Sequence, residues 1–226
     1  MGKGLSLEPA AGKESAVCRA PAGCETEVMK KVVFVILDQF ADWEGAYLAS
    51  GLSMIGNGAY DNVFASLSTK PVVSVGGMRV TPAADLSVCG DADGLVLVGG
   101  TAWKTQVSEQ IAPVIAEYWK TDRPLGAIGD SVSLLATEGI LNSRRHTANG
   151  EAELSSWAQD AYTGSALFEN RQAVRDGNLV TANDTGTLEF AREMMMLLGI
   201  SEVDAREWYV FQSKGISASP AAAARS

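Results

Sequence analysis

Two rhythms of apolar residues alternate along the chain. Near-continuous runs rich in β-branched side chains occupy 31–38, 63–67, 94–100 and 125–128, the pattern of strands covered on both faces. Stretches with apolar groups at helical spacing lie at 43–55, 108–119, 131–138, 153–162 and 187–198, with a shorter one at 202–211. Strands that alternate with helices predict an α/β protein built on a doubly wound, mostly parallel sheet. Two glycine-centred hairpins interrupt the alternation, one turning at Gly76-Gly77 and the other at Asp176-Gly177. Met194, Met195 and Met196 share their helical spacing with Phe190, Leu197 and Leu198, which predicts core packing rather than an adaptable binding surface. Residues 1–29 and 213–226 lack apolar periodicity and read as weakly ordered extensions, leaving a single domain over 30–212.

Composition agrees with one substantial core: 226 residues, 46% hydrophobic and 20% charged. An excess of 27 acidic over 18 basic residues leaves a net charge of -9, which repels phosphate backbones and anionic lipid and so disfavours nucleic-acid and membrane partners. No window reaches the roughly 20 apolar residues of a spanning helix, and the N-terminal stretch carries no apolar signal block, so a cytoplasmic protein is expected. The cysteines, Cys18, Cys24 and Cys89, are odd in number and lack C-x-x-C spacing, so neither a disulfide framework nor a zinc site follows, although a Cys18–Cys24 bridge stays open. A single histidine, His146, excludes multi-histidine metal sites. No G-x-G-x-x-G follows the first strand, and neither a cofactor nor a metal is expected.

In an open parallel sheet, ligands bind beyond the carboxyl ends of the strands. That rule selects 38–44, Gly99-Gly100, the turn Gly129-Asp130-Ser131 and the loop carrying His146. The stretch 124–133 reads as a buried strand turning sharply into a helix, where α/β hydrolytic enzymes mount a nucleophile. Position 129, at the turn, is a glycine.

Taken with Asp38-Gln39-Phe40-Ala41-Asp42-Trp43-Glu44, Val98-Gly99-Gly100-Thr101-Ala102-Trp103, Ala127-Ile128-Gly129-Asp130, Arg145-His146-Thr147-Ala148-Asn149 and the 174–191 region, the chain resembles the ThiJ/PfpI superfamily over roughly 31–199. This class I glutamine amidotransferase-like group includes the Parkinsonism-associated deglycase, intracellular proteases and isonitrile hydratases. The resemblance implies a flavodoxin-like three-layer sandwich, a homodimer and a small carbonyl or amide compound as substrate. It also places the family's elbow cysteine at Gly129, which has neither charge nor polarizability to offer, so cysteine-dependent chemistry is not carried over. Glu44 matches the acidic residue beside that cysteine, Gly99, Gly100 and the amide of Asp130 match oxyanion donors, and His146 matches a site-lining histidine.

If Glu44 and Asp130 share one pocket, one carboxyl holds a proton near neutrality and the pair supplies an acid and a base for hydration or hydrolysis. Asp130 equally suits helix capping, and His146 equally suits a hydrogen-bonded loop position. Ser131 is a weaker substitute nucleophile, two residues past the elbow. Trp43 and Trp103 are candidates to line the site, and several tryptophans and the Gly76-Gly77 hairpin are candidate dimer contacts. The alternative class is a non-catalytic, metabolite-binding or stress-related dimeric member of the family.

Overall fold

The computed structural model describes residues 29–105 and 107–215; expectations attached to 1–28 and 216–226, including the Cys18–Cys24 bridge, lie outside them. The described strands are β1 (Lys30–Val35), β2 (Tyr60–Ser66), β3 (Val72–Val73), β4 (Arg79–Val80), β5 (Ala84–Asp85), β6 (Gly94–Leu97), β7 (Leu125–Ile128), β8 (Ala173–Asp176) and β9 (Leu179–Ala182). The helices are α1 (Asp42–Ile55), α2 (Val107–Trp119), α3 (Val132–Thr137), α4 (Glu151–Ala158), α5 (Thr187–Leu198) and α6 (Glu202–Lys214).

Seven strands form one sheet in the order β5-β2-β1-β6-β7-β9-β8, parallel except for β8 against β9, while β3 and β4 make a separate hairpin. Val32 to Val35 are wholly buried because successive side chains enter opposite cores. Val33, Val35, Leu95 and Leu97 face Ile111, Leu135 and Leu154 of α2, α3 and α4. Val32, Phe34 and Val96 face Leu48, Phe190, Met194 and Trp208 of α1, α5 and α6. This is the three-layer, mostly parallel sandwich expected from the sequence.

The chain leaves β1 through α1 toward β2, but leaves β6 through α2 toward β7 on the opposite side. The loops after β1 and β6 therefore part company, and a crevice opens between them. This reversal and the turn after β7 place Glu44, Gly99, Gly100 and Gly129.

Local details depart from the sequence reading. Helix α4 starts at Glu151 and stops at Ala158, because Gln159 adopts φ +48 before a 3-10 turn reaching Ala161. Helix α6 runs to Lys214, beyond the Phe211 expected, where Gly215 at φ +67 ends it. The short β5 and the 3-10 turn Leu86–Asp91 carry no periodicity and were not expected.

The α5 interface shows how closely the layers meet. A Cβ added to Gly126 of β7 would sit 2.8 Å from both the Met194 sulfur and the Phe190 ring. Phe190 is fully buried there. Truncation by Phe190→Ala is expected to cost about 3–5 kcal/mol, read as a lowered midpoint in urea unfolding.

Candidate active site

The loop after β1 is stitched to the loop after β6 by backbone. Phe40 and Gly100 form an antiparallel bridge, Ala41 N–H donates to the Gly99 carbonyl (2.9 Å) and Thr101 N–H donates to the Gln39 carbonyl (3.3 Å). Gly100 has φ +136, and a Cβ there would overlap the Gln39 carbonyl and the Phe40 backbone, so only glycine permits this approach. The β3–β4 hairpin is tied alongside, as Asp38 Oδ1 accepts from Val73 N–H and Asp42 Oδ2 from Gly76 N–H, both at 2.8 Å.

After β7 the backbone turns at Gly129, φ +61, into a 3-10 turn over Gly129–Ser131. Ser131 is fully buried. Its hydroxyl oxygen accepts from Ile128 N–H (3.0 Å) and lies 2.8 Å from the Leu97 and Ile128 carbonyls, to which it can donate. Ser131, considered as a substitute nucleophile, is thus consumed in clamping the elbow to β6.

Glu44, in the first turn of α1, lies against two bare backbones. A Cβ on Gly129 would overlap its Oε1, and one on Gly99 would overlap its Oε2. The side chain is 2% exposed, and Oε2 has no hydrogen-bond partner among the described residues. Burial pushes its pKa from the 4.5 of a free glutamate to about 8; the Gly99 amide opposes this, while the charges of Asp130 and Asp184 add to it. Glu44 is therefore a neutral acid at pH 7.

Asp130 has the opposite character. Lys104 Nζ lies 2.8 Å from its Oδ1, Asn149 donates to the same oxygen at 3.1 Å, and Lys104 also pairs with Glu153. The expected carboxyl pair does approach one hollow, yet Asp130 is tied to the lysine rather than left facing Glu44 alone. Asn149 in turn accepts from Asp184 N–H (2.9 Å), and Trp43 Nε1 donates to the Asp184 carbonyl (3.1 Å). Trp43, Glu44, Val75, Gly100, Asp130 and Asp184 surround a hollow of about 190 Å³.

Two expected lining residues stand elsewhere. His146 is fully buried, its Nδ1 donates to the Arg144 carbonyl (2.7 Å), and its Nε2 therefore accepts from the Tyr162 hydroxyl (2.8 Å). Burial lowers its pKa, so both nitrogens of a neutral ring are committed. Trp103 is likewise buried and donates its indole N–H to the Val98 carbonyl (2.6 Å), bracing the end of β6 instead of lining the hollow. Cys89, the cysteine among the described residues, is buried in the 86–91 turn with its thiol pushed up to about 11. Sequence reasoning gave Lys104, Asn149 and Asp184 no role. Their positions after β6 and β9, or in the loop after α3, were the available signal.

Among the described residues no group of His, Cys, Asp and Glu is placed to hold a metal ion, and no helix is long and apolar enough to cross a membrane.

The DJ-1/PfpI family model matches residues 30–197. Two Bacillus subtilis proteins, each called an uncharacterized protease, are similar: YdeA is 32% identical over 188 residues (82% of this chain, 92% of that protein) and YoaZ 30% identical over 191 residues (80% and 89%). Among solved structures, the DJ-1 superfamily protein Atu0886 from Agrobacterium tumefaciens superposes with a TM-score of 0.75 at 29% identity, covering 83% of this chain and all of that one. A thiJ/pfpI family protein from Bacillus anthracis gives a TM-score of 0.74 at 26% identity, covering 83% and 92%.

A carboxyl protonated more readily in the folded chain than in the unfolded one stabilises the fold below the unfolded pKa, and that stability is lost as pH rises through the folded value. Glu44 therefore costs stability progressively between pH 4.5 and about 8. Glu44→Gln is expected to flatten this decline and to melt higher than the parent above pH 8, measured as melting temperature against pH.

Proposed function

We propose that this chain, which belongs to the DJ-1/PfpI family, is a hydrolase or hydratase for a small carbonyl or amide compound, working through the Glu44 carboxyl rather than a cysteine thiolate. One observation carries the reading: a buried, protonated carboxyl stands against the bare elbow at Gly129, on the floor of a hollow. The protease names of the two Bacillus relatives support an amide substrate, since a peptide bond is one.

In this reading the substrate carbonyl lies in the hollow beside the Glu44 carboxyl, which itself fills the space of a side chain at Gly129. Water adds to the carbonyl carbon as the π pair moves to oxygen, which takes the proton of Glu44. The proton released by the attacking water passes to the side chain of Asp130 or Asp184 on the rim, and for an amide it leaves with the amine as the tetrahedral adduct collapses. Glu44 recovers its proton in the same collapse. With the Gly99 amide directed at Glu44, the backbone amides at Gly100 and Asp130 are the fixed dipoles for the transient oxyanion in this reading.

A second reading, non-catalytic binding of a metabolite, draws on the commitment of Ser131, His146 and Asp130 to other partners. The two separate cleanly. Under the catalytic reading, Glu44→Gln lowers kcat/KM on small amides or carbonyls by about 10²–10⁴-fold. A parent chain with no turnover, yet stabilised thermally by the same compounds, establishes binding alone.

Restoring a thiol at the elbow tests the geometry itself. In Gly129→Cys the side chain must share space with the Glu44 carboxyl at φ +61, which costs about 1–2 kcal/mol of stability. The new thiol is expected to react with iodoacetamide at a pH well below its ordinary value of about 8.5, because the Glu44 acid donates to the thiolate. An unshifted thiol, after subtraction of the parent's own cysteines, contradicts the placement of Glu44 at the elbow.

The exposed Val75 and Met78 of the hairpin and the half-exposed Trp43 support a homodimer through this edge.

A further inference from the structure

We propose that Asp130, rather than Asp184, takes the proton of the attacking water through its Oδ2, and that Asn149 and Lys104 are the positioning residues that aim it. This assignment rests on the hydrolytic reading and names the base that the reading leaves open between two carboxyls.

The two candidates are held differently. Asp184 is an exposed residue tied down by backbone alone: its N–H donates to Asn149 and its carbonyl accepts from Trp43, while its carboxyl has no hydrogen-bond partner among the described residues. Such a carboxyl is free to turn. On Asp130, two donors from different segments meet on one oxygen. Lys104 Nζ lies 2.8 Å from Oδ1, and Asn149 Nδ2 donates to the same atom at 3.1 Å. Turning the carboxyl would forfeit both bonds. The side chain is 18% exposed and lines the hollow that also holds Glu44. Its other oxygen, Oδ2, has no partner among the described residues and is not one of their sealed, unpartnered atoms, so water reaches it. One oxygen anchored and the other wet is the arrangement that proton abstraction from water requires.

The donors are themselves fixed. Asn149 cannot be turned end for end, because Asp184 N–H needs its Oδ1 (2.9 Å), which leaves Nδ2 for Asp130. The chain reaches it from two fully buried residues, His146 and Thr147. Thr147 N–H donates to Thr181 Oγ1 of β9 (2.8 Å) and its hydroxyl donates to the Arg171 carbonyl (2.9 Å), while His146 bonds to the Arg144 carbonyl and Tyr162. The 145–149 segment, singled out in the sequence for its histidine, thus serves the site through its asparagine. Lys104 is braced on its far side by Glu153 of α4.

The step balances with these two carboxyls. A lone pair of water forms the new C–O bond, the C=O π pair moves to the carbonyl oxygen, that oxygen takes the Glu44 proton, and a water proton goes to Asp130 Oδ2. As the adduct collapses, the C–N bond breaks with its pair on nitrogen, which takes the proton from Asp130, and a hydroxyl of the adduct returns a proton to Glu44. Both carboxyls end as they began.

Turnover of acetamide and of 4-nitroacetanilide by the full chain tests the assignment. Asp130→Ala is expected to lower kcat by about 10²-fold or more, and added formate, which accepts the proton in place of the missing carboxyl, to restore turnover in proportion to its concentration. Asp184→Ala is expected to lose at least about tenfold less and to gain nothing from formate. Asn149→Asp keeps an acceptor for Asp184 N–H but puts an oxygen where the donor to Asp130 stood. It is expected to lower kcat by about tenfold or more with KM little changed, while the Asp184 amide resonance keeps its position. A residue that merely braces the loop would lose nothing by this exchange. Four results overturn the assignment: an equal or larger loss in Asp184→Ala, formate rescue of that variant, an Asp130→Ala that formate does not rescue, and an Asn149→Asp with parental kcat or with a loss that comes only with a displaced Asp184 amide. In each of these, an inactive Glu44→Gln leaves the hydrolytic reading standing. A parent that turns over neither amide, or an active Glu44→Gln, removes the reading itself and the assignment with it.

Discussion

The site depends on a single steric fact: the Glu44 carboxyl fits only because residues 99 and 129 have no side chains. Both glycines hold the backbone close enough to strip water from the acid, and dehydration is the largest influence on its proton affinity. A side chain at either position would drive the carboxyl outward, rehydrate it and return it to an ordinary anion. The acid thus owes its character to backbone shape rather than to another functional group.

Around that floor runs a chain of polar contacts that no one segment could supply. Lys104 follows β6, Asp130 follows β7, Asn149 precedes α4, and Asp184 follows β9. Parallel pairing brings these loops to one end of the sheet, so Asn149 bridges Asp130, 19 positions before it, and Asp184, 35 positions after it. The order of the strands, more than any one motif, assembles the rim.

Much of this architecture was legible in the sequence because it is periodic. The 125–128 run and the 187–198 helix fall where apolar spacing places them, since both bury their pattern in a core. The site was legible as a location: Glu44, Gly99, Gly100, Gly129 and Asp130 do converge. What the sequence hid was the destination of each polar atom. Ser131 reaches the carbonyl of Leu97, thirty-four residues earlier, and Tyr162 takes the free nitrogen of His146. Such partners are set by tertiary contact, and a local window carries no trace of them. The sequence likewise showed two carboxylates near the elbow without showing the lysine that pairs with one of them.

The bridge between Phe40 and Gly100 has a wider implication. With the two crossing loops fastened through main-chain groups, the frame that holds the Glu44 floor in place is fixed by backbone bonds that side chains at the mouth do not supply. Replacement of most nearby side chains leaves that frame unaltered, so new selectivity can be acquired by exchanging residues at the mouth without rebuilding what lies beneath. The scaffold is in this sense a fixed socket with an interchangeable collar.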